Sequence, residues 1–263
     1  MCLALFAIDV HPRYKLVFAA NRDEFYDRPT EQAGFWNEAP EVLAGRDLRG
    51  GGTWMGVTRT GRYCALTNVR DPAAQRSGAP SRGRVVSAYL EGKESPDEYL
   101  SSLVHRGGDY NGFNLLAGRG EEVYWYSNRA GEPQKLEPGL YGLSNAVLDT
   151  AWPKVVRGKA GLQRLLDEDG GPAVEGLLDL LTDRTPAADE DLPRTGVSLA
   201  WERLLSPLFI SSPTYGTRSS TVLLIDREDR VTFVERTHDR TFRGDADAAF
   251  AFATAESEGL HFS

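Results

Sequence analysis

The chain runs to 263 residues, 41% of them hydrophobic and 26% charged, which is enough apolar material for one large domain or two small ones and too much for a disordered or fibrous chain. Its 30 Lys and Arg against 38 Asp and Glu leave a formal charge of −8, the wrong sign for a general binder of nucleic acid or of anionic membranes. No apolar run approaches the ~18 residues of a membrane span. The run Cys2 to Ile8 also lacks the basic leader and cleavage site of a signal peptide, so a cytoplasmic protein without integral membrane association is expected.

The first elements read as a hairpin. A buried strand, Cys2 to Ile8, is followed by a turn over Asp9 to Tyr14 and a second apolar run, Lys15 to Ala20. A turn centred between His11 and Pro12 pairs residues whose numbers sum to about 23, which sets Cys2 opposite Asn21 and returns the cluster Asn21-Arg22-Asp23-Glu24 beside the chain start. A second hairpin spans Thr53 to Thr58 and Arg62 to Asn68, entered through the glycine run Gly50 to Gly52. Helical signals follow at Val85 to Leu90 and after Ser95, where Pro96 at the first position and Glu98 three residues on form a capping box.

Further strands are expected at Gly112 to Ala117, Glu122 to Ser127 and Leu140 to Asn145, then helices at Trp152 to Leu166 and Pro172 to Leu181. Thr182 to Gly196, acidic and broken by Pro186 and Pro193, reads as a surface loop. The last strong pair is Ser220 to Ile225 with Val231 to Glu235. Strands at both ends, helices between them and no βαβ rhythm point to an α+β fold with largely antiparallel sheets, taken as one domain over 1–263.

Two cysteines, Cys2 and Cys64, build neither a disulfide framework nor a four-thiolate zinc site, and His11, His105, His238 and His261 have no metal-ligand spacing. Chemistry that requires no cofactor is therefore expected. Removal of Met1 would leave Cys2 with a thiol and a free α-amine on one residue, and model values of about 8.5 and 7.7–8.0 let the amine take the thiol proton. The plainer alternative is a small apolar residue in a buried strand. Asp23 can accept from that amine and Arg22 can hold the carboxylate or a substrate oxygen, or both are ordinary charges at a strand end. Asn68 and Asn145 each close an apolar strand, where an amide can donate to a developing oxyanion or simply make a turn. Arg218 offers a carboxylate or carbonyl contact, or a structural ion pair. No Gly-Lys-Ser/Thr ending follows Gly45 to Thr53, and no Gly-x-Gly-x-x-Gly opens a helix, so nucleotide binding has little support. Cys64 alternates inside a strand and reads as core, and the five tryptophans read as core or pocket lining.

Met1-Cys2-Leu3, Ala19 to Tyr26 with Arg28-Pro29, Gly51 to Trp54, Ala65 to Asn68, Tyr110 to Leu115, Tyr141 to Asn145 and Tyr215 to Arg218 together resemble the NRDE-motif family of transport and Golgi organisation protein 2 homologues. The likeness runs nearly the full length, with Asp167 to Gly171 and Thr182 to Gly196 less well matched. It implies an N-terminal-nucleophile hydrolase type of fold, a four-layer αββα sandwich, and a more distant likeness to penicillin V acylases and bile salt hydrolases, which begin with cysteine. Their Arg and Asp resemble Arg22 and Asp23, although separated there and adjacent here, and their strand-end asparagines and late arginine resemble Asn68, Asn145 and Arg218.

Two functions follow as expectations. The first is hydrolysis of a small non-peptide amide, such as an N-acyl compound, by Cys2 with Arg22, Asp23, Asn68, Asn145 and Arg218. The second, implied by the family's association with haem mobilisation and lipid or acyl-CoA metabolism, is binding and trafficking of haem or an acyl-CoA-like ligand without turnover. A third, an inactive scaffold, predicts neither a reactive Cys2 nor a ligand.

Overall fold

The computed structural model describes residues 3–238 and 245–255. Met1, Cys2 and His261 lie outside them. Thirteen strands and five α-helices follow in the order β1 (Leu3–Ile8), β2 (Tyr14–Phe25), β3 (Thr30–Phe35), β4 (Val42–Asp47), β5 (Met55–Thr58), β6 (Arg62–Asn68), α1 (Gly83–Glu91), α2 (Pro96–Gly107), β7 (Phe113–Arg119), β8 (Glu122–Ser127), β9 (Gln134–Lys135), β10 (Gly139–Leu143), α3 (Pro153–Leu166), α4 (Val174–Leu180), α5 (Leu199–Leu204), β11 (Tyr215–Asp226), β12 (Arg230–Thr237) and β13 (Ala246–Ala253) among the described residues.

The strands form two antiparallel sheets, one ordered β10-β1-β2-β11-β12-β13 and the other β3 to β9 in sequence. Period-two alternation sorts their side chains into three cores. Phe6, Phe18, Leu223 and Phe233 of the first sheet meet Leu43, Val57, Leu116 and Trp125 of the second. Leu3, Leu5, Val17 and Val222 face the other way, against Val155, Leu162 and Leu177 of α3 and α4. Cys64, Leu66 and Leu115 of the second sheet pack on Val86, Tyr89 and Leu100 of α1 and α2. Three cores separate four layers, the αββα sandwich that the family resemblance implies, built on the α+β, largely antiparallel pattern read from the elements.

The capping box stands as read: Ser95 Oγ accepts from Glu98 N at 3.2 Å, and Glu98 Oε2 accepts from Ser95 N at 2.9 Å. Ser95→Ala removes one acceptor from the first turn of α2 and is expected to cost about 1 kcal/mol, read as a shift of the urea midpoint at constant slope. No helix among the described residues is long and apolar enough to cross a membrane.

Two boundaries differ in ways that matter for the site. β2 does not stop at Ala20 but continues through Asn21-Arg22-Asp23-Glu24 to Phe25, because β11 supplies backbone partners along all five residues, with β1 reaching only Asn21 among the described residues. β11 begins at Tyr215 and not at Ser220, for the same reason. The first hairpin pairs Leu3 with Asn21, so partner numbers sum to 24, one more than expected.

Candidate active site

At one end of the sandwich the start of β1, the end of β2, the end of β10 and the start of β11 meet the end of β6 and the start of β7. The two sheets are tied together there. Asn145, just past β10, donates from Nδ2 to Asn68 O at 2.8 Å, and its own carbonyl accepts from Arg70 N at 2.7 Å. Asn114 Nδ2 reaches Ala146 O at 2.8 Å. The two asparagines read from the sequence are thus brought into contact, and the Asn145 amide keeps a second N–H.

Successive residues at the end of β2 point to opposite faces. Asn21 is fully buried and donates to Leu181 O and Leu208 O, both at 2.9 Å, on the helix side. Arg22 turns between the sheets, where its guanidinium lies 4.2 Å from the centroid of the Trp54 ring and donates to Thr30 Oγ1 at 3.2 Å. Burial pushes this guanidinium below its ordinary value, Glu24 and Asp47 opposing the shift, with Arg218 and Arg28 adding to it. Asp23 accepts a 2.6 Å hydrogen bond from Thr217 Oγ1.

That last bond depends on an irregularity. Thr217 stands opposite Asp23 and Ser219 opposite Arg22, so Arg218 is the extra residue of a β-bulge. Its guanidinium donates to Phe25 O and Arg28 O, each at 3.0 Å, and pins the turn that leaves β2. Arg218 therefore sits beside the cluster, holding backbone carbonyls.

A two-lobed cleft opens at this end, with Asn68 and Arg82 in the wall of both lobes. The polar lobe, about 290 Å³, is walled by Arg22, Glu24, Arg28, Asp47 and Trp54. Against the upward push of burial, the Arg28 hydrogen bond and the Gly50 N–H hold the Asp47 carboxyl below the usual range. Behind the lining residue Gly83 a second glycine is required by sterics: Gly52 has φ +78° and a Cβ there would lie 2.4 Å from Gly83 O. The larger lobe, about 540 Å³, is walled by Phe25, Val69, Trp201, Leu205 and Tyr215. Phe25 and Trp201 each meet the Tyr215 ring nearly edge-on, at 5.1 and 5.8 Å.

The sequence reading did not find the group that fastens this lobe. Arg70 donates to Glu202 Oε2 at 2.8 Å and lies over the Trp152 ring, while Glu202 Oε1 accepts from Thr195 N and Oγ1. The pair clamps α5 and the acidic loop to the end of β6. Glu235 was missed as well, although alternation along Val231, Phe233 and Glu235 puts it on the inward face. It accepts from Ala33 N at 2.8 Å, and burial pushes its carboxyl up to about 7 against the hydrogen bond and the pull of Arg22. Cys64 is a fully buried free thiol pushed far above its ordinary value by burial.

The sequence pattern of the family described as Transport and Golgi organisation 2 matches residues 1–240. The chain belongs to that family. Transport and Golgi organisation 2 homologues of Mus musculus and Homo sapiens are 36% and 35% identical to it, over 90% of this chain and 92% of each relative. The Drosophila melanogaster Transport and Golgi organization protein 2 is 30% identical with the same coverage. Among solved structures, the Caenorhabditis elegans ortholog of N-acylethanolamine-hydrolyzing acid amidase aligns with TM-score 0.50 and 11% identity, over 85% of this chain and 92% of its own. A mutant conjugated bile acid hydrolase from Clostridium perfringens aligns with TM-score 0.50 and 9% identity, over 97% and 93%. The Transport and Golgi organisation 2 chain thus shares the fold of N-terminal-nucleophile hydrolases.

Proposed function

We propose that this protein is an N-terminal-nucleophile cysteine hydrolase of a small N-acyl amide, with Cys2 exposed by removal of Met1. One observation carries the reading: Leu3 stands opposite Asn21, so the chain enters the sheet at the end where Arg22, Asn68 and Asn145 line the cleft and Asp23 follows Arg22 on β2. In this mechanism the Cys2 α-amine takes the thiol proton and the thiolate attacks the carbonyl carbon. The oxyanion accepts from the second N–H of Asn145, the ammonium returns its proton to the leaving amine as the C–N bond breaks, and water hydrolyses the thioester with the amine again as base. Asp23 holds the α-amine, Arg22 supplies positive charge from the inter-sheet side, and Arg218 keeps the turn beside them in place. The aromatic lobe suits the acyl portion and the arginine-lined lobe the polar portion. A cytoplasmic setting, which keeps thiols reduced, belongs to the same reading.

The aromatic lobe supports a second reading, carriage of an amphiphilic anion without turnover. No histidine among the described residues lines either lobe, so an acyl-CoA-like ligand suits that lining better than haem. Intact mass before and after brief alkylation near neutral pH separates the two. Loss of Met1 with fast labelling of Cys2 and none at buried Cys64 is the expected result. Retained Met1, in protein from a host able to remove it, or an inert Cys2 would overturn the hydrolase in favour of the carrier.

A further inference from the structure

Behind Arg22 and Asp23 lies a hydrogen-bonded chain that no step above uses. Both amide hydrogens of the fully buried Asn21 go to carbonyls, those of Leu181 and Leu208, which fixes its Oδ1 toward β11. Ser220 Oγ lies 2.6 Å from that oxygen. A carbonyl oxygen can only accept, so the single hydroxyl proton is committed to Asn21. The second contact of the hydroxyl, His238 Nε2 at 2.8 Å, is then one in which the ring donates. Nδ1 of the same ring meets Asp245 Oδ2 at 2.9 Å. With Nε2 protonated, that contact is attractive to a carboxylate only if Nδ1 carries a proton too. The bonds as placed describe an imidazolium held between a hydroxyl and a carboxylate.

Loss of one ring proton has a definite consequence. The neutral ring keeps its proton on Nδ1 toward Asp245, Nε2 becomes an acceptor, Ser220 turns its hydroxyl to it, and the buried Asn21 oxygen loses its donor. The surroundings are mixed in charge. Asp245 and Asp247 face the ring from the β13 side. Arg236 on β12 is tied to Asp247 and to Glu175 of α4, and Phe209, which carries Arg184 on its ring, packs edge-on against the imidazole. The His238 backbone N–H donates to Arg218 O, at the bulge itself.

We propose that His238 is a positioning residue that, through Ser220, sets the hydrogen bonding of Asn21 and with it the placement of Arg22 and Asp23 according to whether its ring is charged. Only the catalytic consequence rests on the Cys2 reading. The order Ser220-His238-Asp245 has the outline of a hydrolytic triad, but the hydroxyl is 1% exposed and already donates to Asn21, so it positions and does not attack.

Two readouts test this, one of them independent of Cys2. In protein labelled with ¹⁵N at histidine and asparagine, both His238 ring nitrogens are expected to carry protons at the acid end of a titration from about pH 5 to about pH 9. The Asn21 side-chain amide should shift with the same midpoint in wild type and not at all in His238→Gln, whose amide can donate to Ser220 at every pH. A singly protonated ring throughout, or an Asn21 amide indifferent to the ring, overturns the proposal. The second readout is the ratio of Cys2 alkylation rates, wild type over His238→Gln, which cancels the thiol's own titration. It should fall about tenfold as the ring loses its proton, the factor expected for one buried acceptor left without a donor. A flat ratio with a reactive Cys2 overturns the positioning role. If Cys2 is inert in both proteins the hydrolase reading fails, and the Asn21 resonance alone decides the relay. Labelling of Ser220 by a fluorophosphonate would overturn its assignment as a non-attacking link.

Discussion

Glu235→Gln is expected to stabilise the protein above neutral pH by about 3 kcal/mol and to flatten its stability between about pH 5 and pH 8. Glu235 lies between the sheets, 2% exposed, with its carboxyl raised from 4.5 to about 7 by burial ahead of the opposing Ala33 N–H and Arg22. An unfolded carboxyl gives up its proton through its ordinary range, while the folded one keeps it until about 7. Between those values the folded chain binds more protons than the unfolded one, so stability falls as pH rises and the full penalty is present above about 7. Glutamine keeps the oxygen that accepts from Ala33 N at 2.8 Å and can donate to the neighbouring Ser219 hydroxyl. Urea unfolding of both proteins at the two ends of the range measures the effect. A variant less stable than wild type at the alkaline end would mean that attraction to Arg22 outweighs desolvation.

How much of this was legible in the sequence depends on the range of the interaction. The β1–β2 hairpin was, because Leu3 to Ile8 and Leu16 to Ala20 are apolar and flank a turn at His11-Pro12. Its exact register was not, since a shift of one residue leaves the composition unchanged. Four polar residues, Asn21 to Glu24, lie inside β2 against every propensity. They are held there by β11, which comes about 200 residues later in the chain, while β1 pairs only with Asn21 among the described residues. β3 and β4 escaped notice because Thr-Glu-Gln-Ala-Gly-Phe has no clean alternation. β13 escaped because its small residues gain their place only when Phe250 and Phe252 meet Phe35 of the other sheet. The capping box of α2 was legible for the opposite reason: everything it needs lies within four residues.

The same rule sorts the candidate site. Asn68 and Asn145 were found because each ends an apolar run, yet their 2.8 Å contact could not be, because it joins two sheets. Arg70 and Glu202 are 132 residues apart, and neither residue carries a local mark of the ion pair it makes. Arg218 was noticed for its charge and position. Its role as the bulged residue that holds Phe25 O and Arg28 O follows only from the mismatch of one residue between β2 and β11.

The sharpest separation of chemistry from architecture comes from Asp23→Asn. Asparagine is nearly isosteric, and its oxygen can still accept the 2.6 Å bond from Thr217 Oγ1, so the bulge and the end of β2 should keep their shape. The unfolding midpoint should then move by less than about 1 kcal/mol, the scale of a charge-assisted hydrogen bond becoming a neutral one. Cys2 chemistry should respond far more strongly. An amide cannot offer the charge that orients the α-amine of the proposed nucleophile, and turnover of an N-acyl amide should drop about 100-fold with KM little changed, the loss falling on kcat. Alkylation of Cys2 should slow in parallel while Cys64, fully buried in the α1–α2 core, stays unlabelled in both proteins. Equal loss of stability and reactivity would make Asp23 a structural residue of the β2–β11 pair. Unchanged reactivity in a folded variant would remove the carboxylate from the mechanism and leave Arg22 and the asparagine pair to account for whatever activity the cleft supports.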